Sequence, residues 1–201
     1  MNALTFAVTF DYRCPFARNV HEHLVTAMEG GADWEVEYLP FSLTQSHVEE
    51  GEEPVWDRAD KTPDLIAIEA GLVVRDLFPE RFPDVHIALF AARHDQGQDL
   101  RQQAVIGEVL EANGVGADDV FAAIAEGWPR QAFRKAHEAA VNDHQVFGVP
   151  TFISGEASAF VRIMTRPEGD GERARTTIES ILELLLGHPE INEFKHTSIS
   201  R

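Results

Sequence analysis

An apolar run rich in strand formers, Leu4 to Phe10, leads through Asp11-Tyr12-Arg13 to Cys14-Pro15, and a run of helical period follows from Phe16 to Glu29. This hand-over constrains the chain more than any other stretch. Proline suits the first helical position, because its missing N–H would have no partner there. Pro15 therefore starts the helix and Cys14 becomes its N-cap. Phe16, Val20, Leu24 and Ala27/Met28 form the apolar stripe, and Gly30-Gly31 stops the helix. Trp34 to Phe41 then alternates Trp34, Val36 and Tyr38 with Glu35 and Glu37, as a strand with one face toward solvent does. Strand, helix, strand in this order predicts a right-handed parallel crossover.

Cys14 is the only cysteine among 201 residues. A sulfur at a helix start meets unpaired backbone N–H groups and the positive end of the macrodipole, both of which favour a thiolate. Arg13 beside it and Arg18 one turn on add positive charge. A lowered thiol pKa and a reactive sulfur are the expectation. The blander reading is a small buried hydrophobe.

Beyond the second strand the pattern changes. Glu49-Glu50-Gly51-Glu52-Glu53-Pro54 reads as a solvated loop, or as part of a lid in which Phe41-Ser42-Leu43 and Trp56 touch a ligand. From Pro63 to Gln145 the period is helical throughout, over 64–77, 83–94, 100–112, 118–126 and 130–144. Strands are expected at Thr151–Ile153 and Ala159–Met164, paired antiparallel across Ser154-Gly155-Glu156. Asp170 caps a last helix, Glu172 to Leu186, closed by Gly187. In the tail from Pro189, Phe194 is expected to dock back and the final residues to be mobile.

The histidines read as ordinary structure. His21 and His23 diverge on a helix, which makes a poor metal site and suggests surface positions. His86, Phe90, Arg93 and His94 share a helix face that either packs between helices or lines a cleft over Cys14. His137 and His144 read the same way.

Strand, Cys14-Pro15-x-x, helix, a long helical segment, and then Gly148-Val149-Pro150-Thr151 before a strand resemble the thioredoxin fold in its DsbA-like branch. The resemblance covers nearly the whole chain. It implies an α/β fold: a mixed four-stranded sheet with an all-helical insertion between strands two and three. Residues 1–62 and 146–201 would form the thioredoxin-like domain and 63–145 the insertion. It also implies a cis Val149–Pro150 bond against the catalytic Cys14, with Arg13, Pro15, Phe16, Arg18, Val149 and Pro150 as thiol-binding neighbours.

The chain departs from the family pattern at one position. Dithiol members read Cys-Pro-x-Cys; Ala17 stands at the fourth position here, so no internal disulfide can form. The resemblance then implies a thiol-disulfide oxidoreductase working through one cysteine and an external low-molecular-weight thiol, glutathione or mycothiol, with no tightly bound cofactor. The alternatives are an enzyme like the kappa-class glutathione transferases or hydroxychromene-carboxylate isomerases, and a non-catalytic binding protein.

Composition narrows the partners. Net charge is −17, from 34 acidic against 17 basic residues, and such a surface repels nucleic acid and anionic membrane. No run approaches the ~20 apolar residues of a membrane span. No basic region and cleavage site open the chain, and one cysteine suits a reducing compartment, so a cytoplasmic protein is expected. The expected partner is a small-molecule thiol or disulfide, with no metal; a homodimer is left open.

Overall fold

The computed structural model describes residues 4–197; residues 1–3 and 198–201, including the end of the tail expected to be mobile, lie outside the described residues. In chain order the elements are β1 (Leu4–Phe10), α1 (Pro15–Glu29), β2 (Trp34–Pro40), α2 (Thr62–Leu77), α3 (Phe82–His94), α4 (Gln103–Ala112), α5 (Ala117–Ala125), α6 (Trp128–His144), β3 (Thr151–Ser154), β4 (Ala157–Phe160) and α7 (Gly171–Gly187).

The four strands form one sheet in the order β2-β1-β3-β4. β1 runs parallel to β2, from Leu4 opposite Trp34 to Phe10 opposite Pro40, as the crossover through α1 requires. It pairs antiparallel with β3, Val8 opposite Phe152, and β3 pairs antiparallel with β4. The sheet is therefore mixed, and helices α2–α6 fill the connection between β2 and β3. β1 is buried continuously from Phe6 to Phe10, the pattern of a strand covered on both faces.

α1 and α7 pack closely at one crossing point. A Cβ at Gly30 would stand 3.2 Å from the Gly171 Cα, and a Cβ at Gly171 equally close to the Gly30 Cα. Gly31, at φ +93°, turns the chain out of α1 toward β2. Asp170 caps α7 as expected, its Oδ1 accepting the Arg173 N–H at 3.0 Å.

Buried side chains of the sheet and of the helical insertion form one contiguous core. Tyr12 is the joint. Its ring packs on Phe10 and Phe90, and its hydroxyl lies so near α2 that a Cβ at Gly71 would come within 2.4 Å of it.

Several expectations are corrected. β4 begins at Ala157, because the turn at Gly155 (φ +59°) brings Ala157 opposite Ser154. It ends at Phe160, and the Ile163 carbonyl accepts from Asn19 Nδ2 (2.9 Å). Phe194 is 77% exposed and does not dock. His21 and His23 are buried, since α1 is covered by neighbouring helices as well as the sheet. Trp56 contacts the insertion core, 4.9 Å from the Phe133 ring centroid and 5.6 Å from that of His137. Residues 49–53 are exposed, as a solvated loop is.

Candidate active site around Cys14

Cys14 occupies the N-cap of α1 with extended backbone (φ −92°, ψ 117°), and Pro15 follows as the first helical residue. A tight turn delivers it there: the Cys14 N–H donates to the Asp11 carbonyl at 2.9 Å. The sulfur accepts the Ala17 N–H at 3.5 Å, so it serves as the cap that a serine or aspartate would ordinarily provide.

The partner surface arrives from the far end of the chain. The Val149–Pro150 bond is cis. The Cys14 Sγ–H donates to the Val149 carbonyl oxygen at 3.3 Å. Around this contact the loop is fully anchored. The Thr151 N–H donates to Thr9 Oγ1 (2.8 Å), Thr151 Oγ1 donates to the Gly148 carbonyl (2.8 Å), and the Val161 N–H donates to the Pro150 carbonyl (3.1 Å). Pro15 is exposed and Phe16 half-buried beside the sulfur, and the Arg162 guanidinium carbon sits 5.3 Å above the Phe16 ring centre.

The expected lowering of the thiol pKa does not occur. Burial pushes the Cys14 thiol up, the N–H groups of Ala17 and Phe16 oppose this, and the Asp11 charge adds to the rise. The bond to the Val149 carbonyl works the same way, because only the protonated sulfur can donate it. The two arginines do not supply the missing positive charge. Arg13 donates through Nε (3.2 Å) and Nη2 (2.9 Å) to Asp11. Arg18 pairs with Asp95 at 2.7 Å and also donates to Asn19 Oδ1. Both charges are spent on neighbouring carboxylates and amides.

Beneath the site runs a hydrogen-bonded chain that the sequence reading did not assemble. The Thr9 carbonyl can only accept, so His21 Nε2 carries a proton toward it (3.3 Å). A neutral His21 then accepts at Nδ1 from His86 Nε2–H (3.0 Å). His86 in turn accepts at Nδ1 from the Tyr12 hydroxyl (2.9 Å). Burial holds both rings neutral: His21 is pushed down to about 4, and His86 is held well below the ordinary imidazole value by burial first and the neighbouring His21 second. His94 Nε2 donates to the Tyr12 carbonyl at 2.9 Å. The His86–His94 face of α3 therefore packs under the Cys14 loop, the interhelical reading of that face. His137 is buried too, accepting the Ser42 N–H at Nδ1 (3.2 Å).

Asp11 and Arg162 are site neighbours that sequence reasoning passed over. An acid ending an apolar strand three residues before the cysteine is the signal that was available for Asp11. Nothing in the sequence places Arg162 over Phe16. Among the described residues no cluster of three or more His, Cys, Asp or Glu is arranged to hold a metal, and no helix is long and apolar enough to cross a membrane.

The DSBA-like thioredoxin domain family model matches residues 79–165. That segment contains Val149-Pro150 but begins after Cys14. A search of curated proteins finds no match. Among solved structures, DsbA from Pseudomonas aeruginosa aligns over 90% of this chain and 84% of its own, at 22% identity and a TM-score of 0.59. The cytosolic disulfide reductase DsbM from Pseudomonas aeruginosa, determined with GSH, aligns over 90% and 100%, at 15% identity and a TM-score of 0.62. The chain has a DsbA-like thioredoxin fold. MdbA, a thiol-disulfide oxidoreductase from Actinomyces oris, shares it over 87% of this chain and 80% of its own, at 16% identity and a TM-score of 0.62. In this fold the Cys14 sulfur and the cis Val149–Pro150 bond meet from opposite ends of the sequence, with Ala17 as the fourth residue of the Cys14-Pro15 motif.

Proposed function

We propose that the protein is a cytoplasmic thiol-disulfide oxidoreductase that works through Cys14 alone, with an external low-molecular-weight thiol as its co-substrate. The observation that carries this reading is the 3.3 Å contact between the Cys14 sulfur and the Val149 carbonyl beside a cis proline. A disulfide lying along this loop presents one sulfur to Cys14 and finds backbone groups at hand for an extended ligand. The Cys14 thiolate attacks that sulfur, forms the mixed disulfide and expels the other half as a thiolate. Ala17 cannot resolve it. A second thiolate from solution attacks the substrate-derived sulfur, releases Cys14 as thiolate and leaves as the new disulfide. Glutathione or mycothiol fits the role. Pro15, Phe16, Val149 and Pro150 are the proposed contacts, while Arg13 and Arg18 act through their carboxylate partners.

The raised thiol pKa bears on direction. A poorly ionised sulfur is a poor leaving group, so its mixed disulfide is comparatively stable and the chain is a weak oxidant. That suits reduction or thiol transfer better than disulfide introduction.

The test exposes the protein to oxidised glutathione and to a small neutral disulfide, and reads intact mass, with Cys14→Ser as control. A reducible adduct on Cys14, absent from the control, is expected. Reversible thiol binding without an adduct would move the assignment to the transferase or isomerase class, and neither signal would leave a binding protein.

A further inference from the structure

Asp11 is 1% exposed, yet it is a full carboxylate acceptor. Four N–H groups reach it. Arg13 donates its backbone N–H (2.9 Å) and Nε (3.2 Å) to Oδ1, and its Nη2 (2.9 Å) to Oδ2; the Leu43 N–H donates to Oδ2 (2.9 Å). One buried carboxylate thus ties the Cys14 turn to the segment after β2 and holds the Arg13 guanidinium in a fork. The same residue's carbonyl accepts the Cys14 N–H. An arginine adjacent in sequence to the nucleophile is directed away from it.

We propose that Asp11 is a positioning residue for the Cys14 reaction: it clamps the Arg13 charge off the sulfur and leaves its own carboxylate behind the helix start, making Cys14 a poor leaving group that keeps its mixed disulfides until an external thiol removes them. This rests on the single-cysteine exchange reading. Asp11 is among the causes that raise the Cys14 thiol pKa, and Arg13 is not among those that lower it. Asp64 of α2 and Arg101 also act on the Arg13 charge, in opposite senses, and the other charged and titratable groups around the loop have partners or packing of their own. Arg18 pairs with Asp95 at the end of α3, His94 of α3 donates to the Tyr12 carbonyl, His137 of α6 is held neutral by burial, its pKa pushed down to about 4, and Arg162 lies over Phe16.

Without the Asp11 charge, the helix N-terminus and a freed Arg13 both favour the thiolate. Without the Arg13 charge, the Asp11 carboxylate keeps only the backbone N–H groups of residue 13 and Leu43 as donors, and its charge, which already raises the Cys14 thiol, is no longer offset by a paired cation. The two substitutions therefore act in opposite directions, which a purely structural clamp would not produce.

The experiment measures the pH dependence of Cys14 alkylation in the native chain, Asp11→Asn, Arg13→Gln and Arg13→Lys. In parallel it measures the equilibrium of the glutathione mixed disulfide in a glutathione redox buffer. Asp11→Asn is expected to shift the alkylation midpoint to lower pH and to reduce the mixed-disulfide fraction threefold or more. Arg13→Gln is expected to shift it to higher pH, and Arg13→Lys to return it toward the native value. Midpoints that stay fixed, or that move the same way in both variants, overturn the proposal. Should Asp11→Asn fail to fold, an unshifted Arg13→Gln midpoint overturns it alone. Opposed midpoints with no glutathione adduct in any variant would sustain the clamp and sink the exchange reading.

Discussion

The Cys14 sulfur and the Val149 carbonyl oxygen lie 3.3 Å apart although 135 residues separate them in the chain. The whole helical insertion is threaded between the two halves of this contact. Its thiol form is the bonded form, so the structure opposes ionisation where the helix start favours it. Burial decides the contest in favour of the thiol.

Because the sulfur is both nucleophile and helix cap, two substitutions at Cys14 should separate the roles. Cys14→Ser keeps an acceptor for the Ala17 N–H and should abolish adduct formation while changing stability by less than about 1 kcal/mol. Cys14→Ala loses the cap as well and should cost about 1 kcal/mol more than Cys14→Ser. Urea unfolding midpoints of the two variants decide this; equal midpoints would remove the capping role.

Tyr12 and Gly71 give a packing prediction. A Cβ at Gly71 would stand 2.4 Å from the Tyr12 oxygen, which is itself fixed by His86. Gly71→Ala should therefore destabilise the fold by about 1–3 kcal/mol. The penalty should shrink when measured in a Tyr12→Phe background, where the offending oxygen is gone. A double-mutant cycle showing additive effects would contradict the direct contact.

The buried histidines predict acid sensitivity. His21 and His137 are pushed from the ordinary 6.5 down to about 4, burial being the main cause. Between those values the unfolded chain binds protons that the folded chain refuses. Stability is therefore fully present above the ordinary value and falls as the pH drops through this window. At pH 5 each histidine should subtract about 2 kcal/mol relative to pH 7. Chemical denaturation at the two pH values checks this, and His137→Gln should shrink the difference by about 2 kcal/mol while leaving the part that His21 contributes.

Arg130 and Glu69 join α6 to α2. Glu69 is 1% exposed and accepts from Arg130 Nε at 2.6 Å and Nη2 at 3.4 Å. Removing the arginine strands a buried carboxylate, so Arg130→Ala should cost about 2–4 kcal/mol. Replacing Glu69 with Gln in the same background should recover part of that loss, read as a rise in Tm.

The strand-to-helix hand-over at Cys14-Pro15 and the cap at Asp170 were legible because each is local: a proline or a short acceptor acts on backbone groups within one turn. Helical period placed α2 through α6 within a few residues, and the bounds of β4 slipped because a hairpin register is set by its turn. His21 and His23 were misread as surface residues because a single helix shows its apolar stripe, not how many neighbours cover its flanks. The partners of Arg13 and Arg18 were not legible at all. Which carboxylate an arginine chooses depends on Asp11 being buried and on α3 bringing Asp95 alongside α1.

The sequence by itself determined that one sulfur heads a helix, that no second thiol can answer it, and that a proline loop follows a long helical segment. These follow from residue identity and short-range geometry. Only the tertiary structure decided the character of that sulfur, because ionisation depends on water lost, charges paired and carbonyls met at distances the order of residues does not encode. Packing brought the Val149 carbonyl to the thiol, directed both arginines to carboxylates and left the Asp11 charge behind the helix start, so a position that favours a thiolate in isolation holds a thiol in the folded chain.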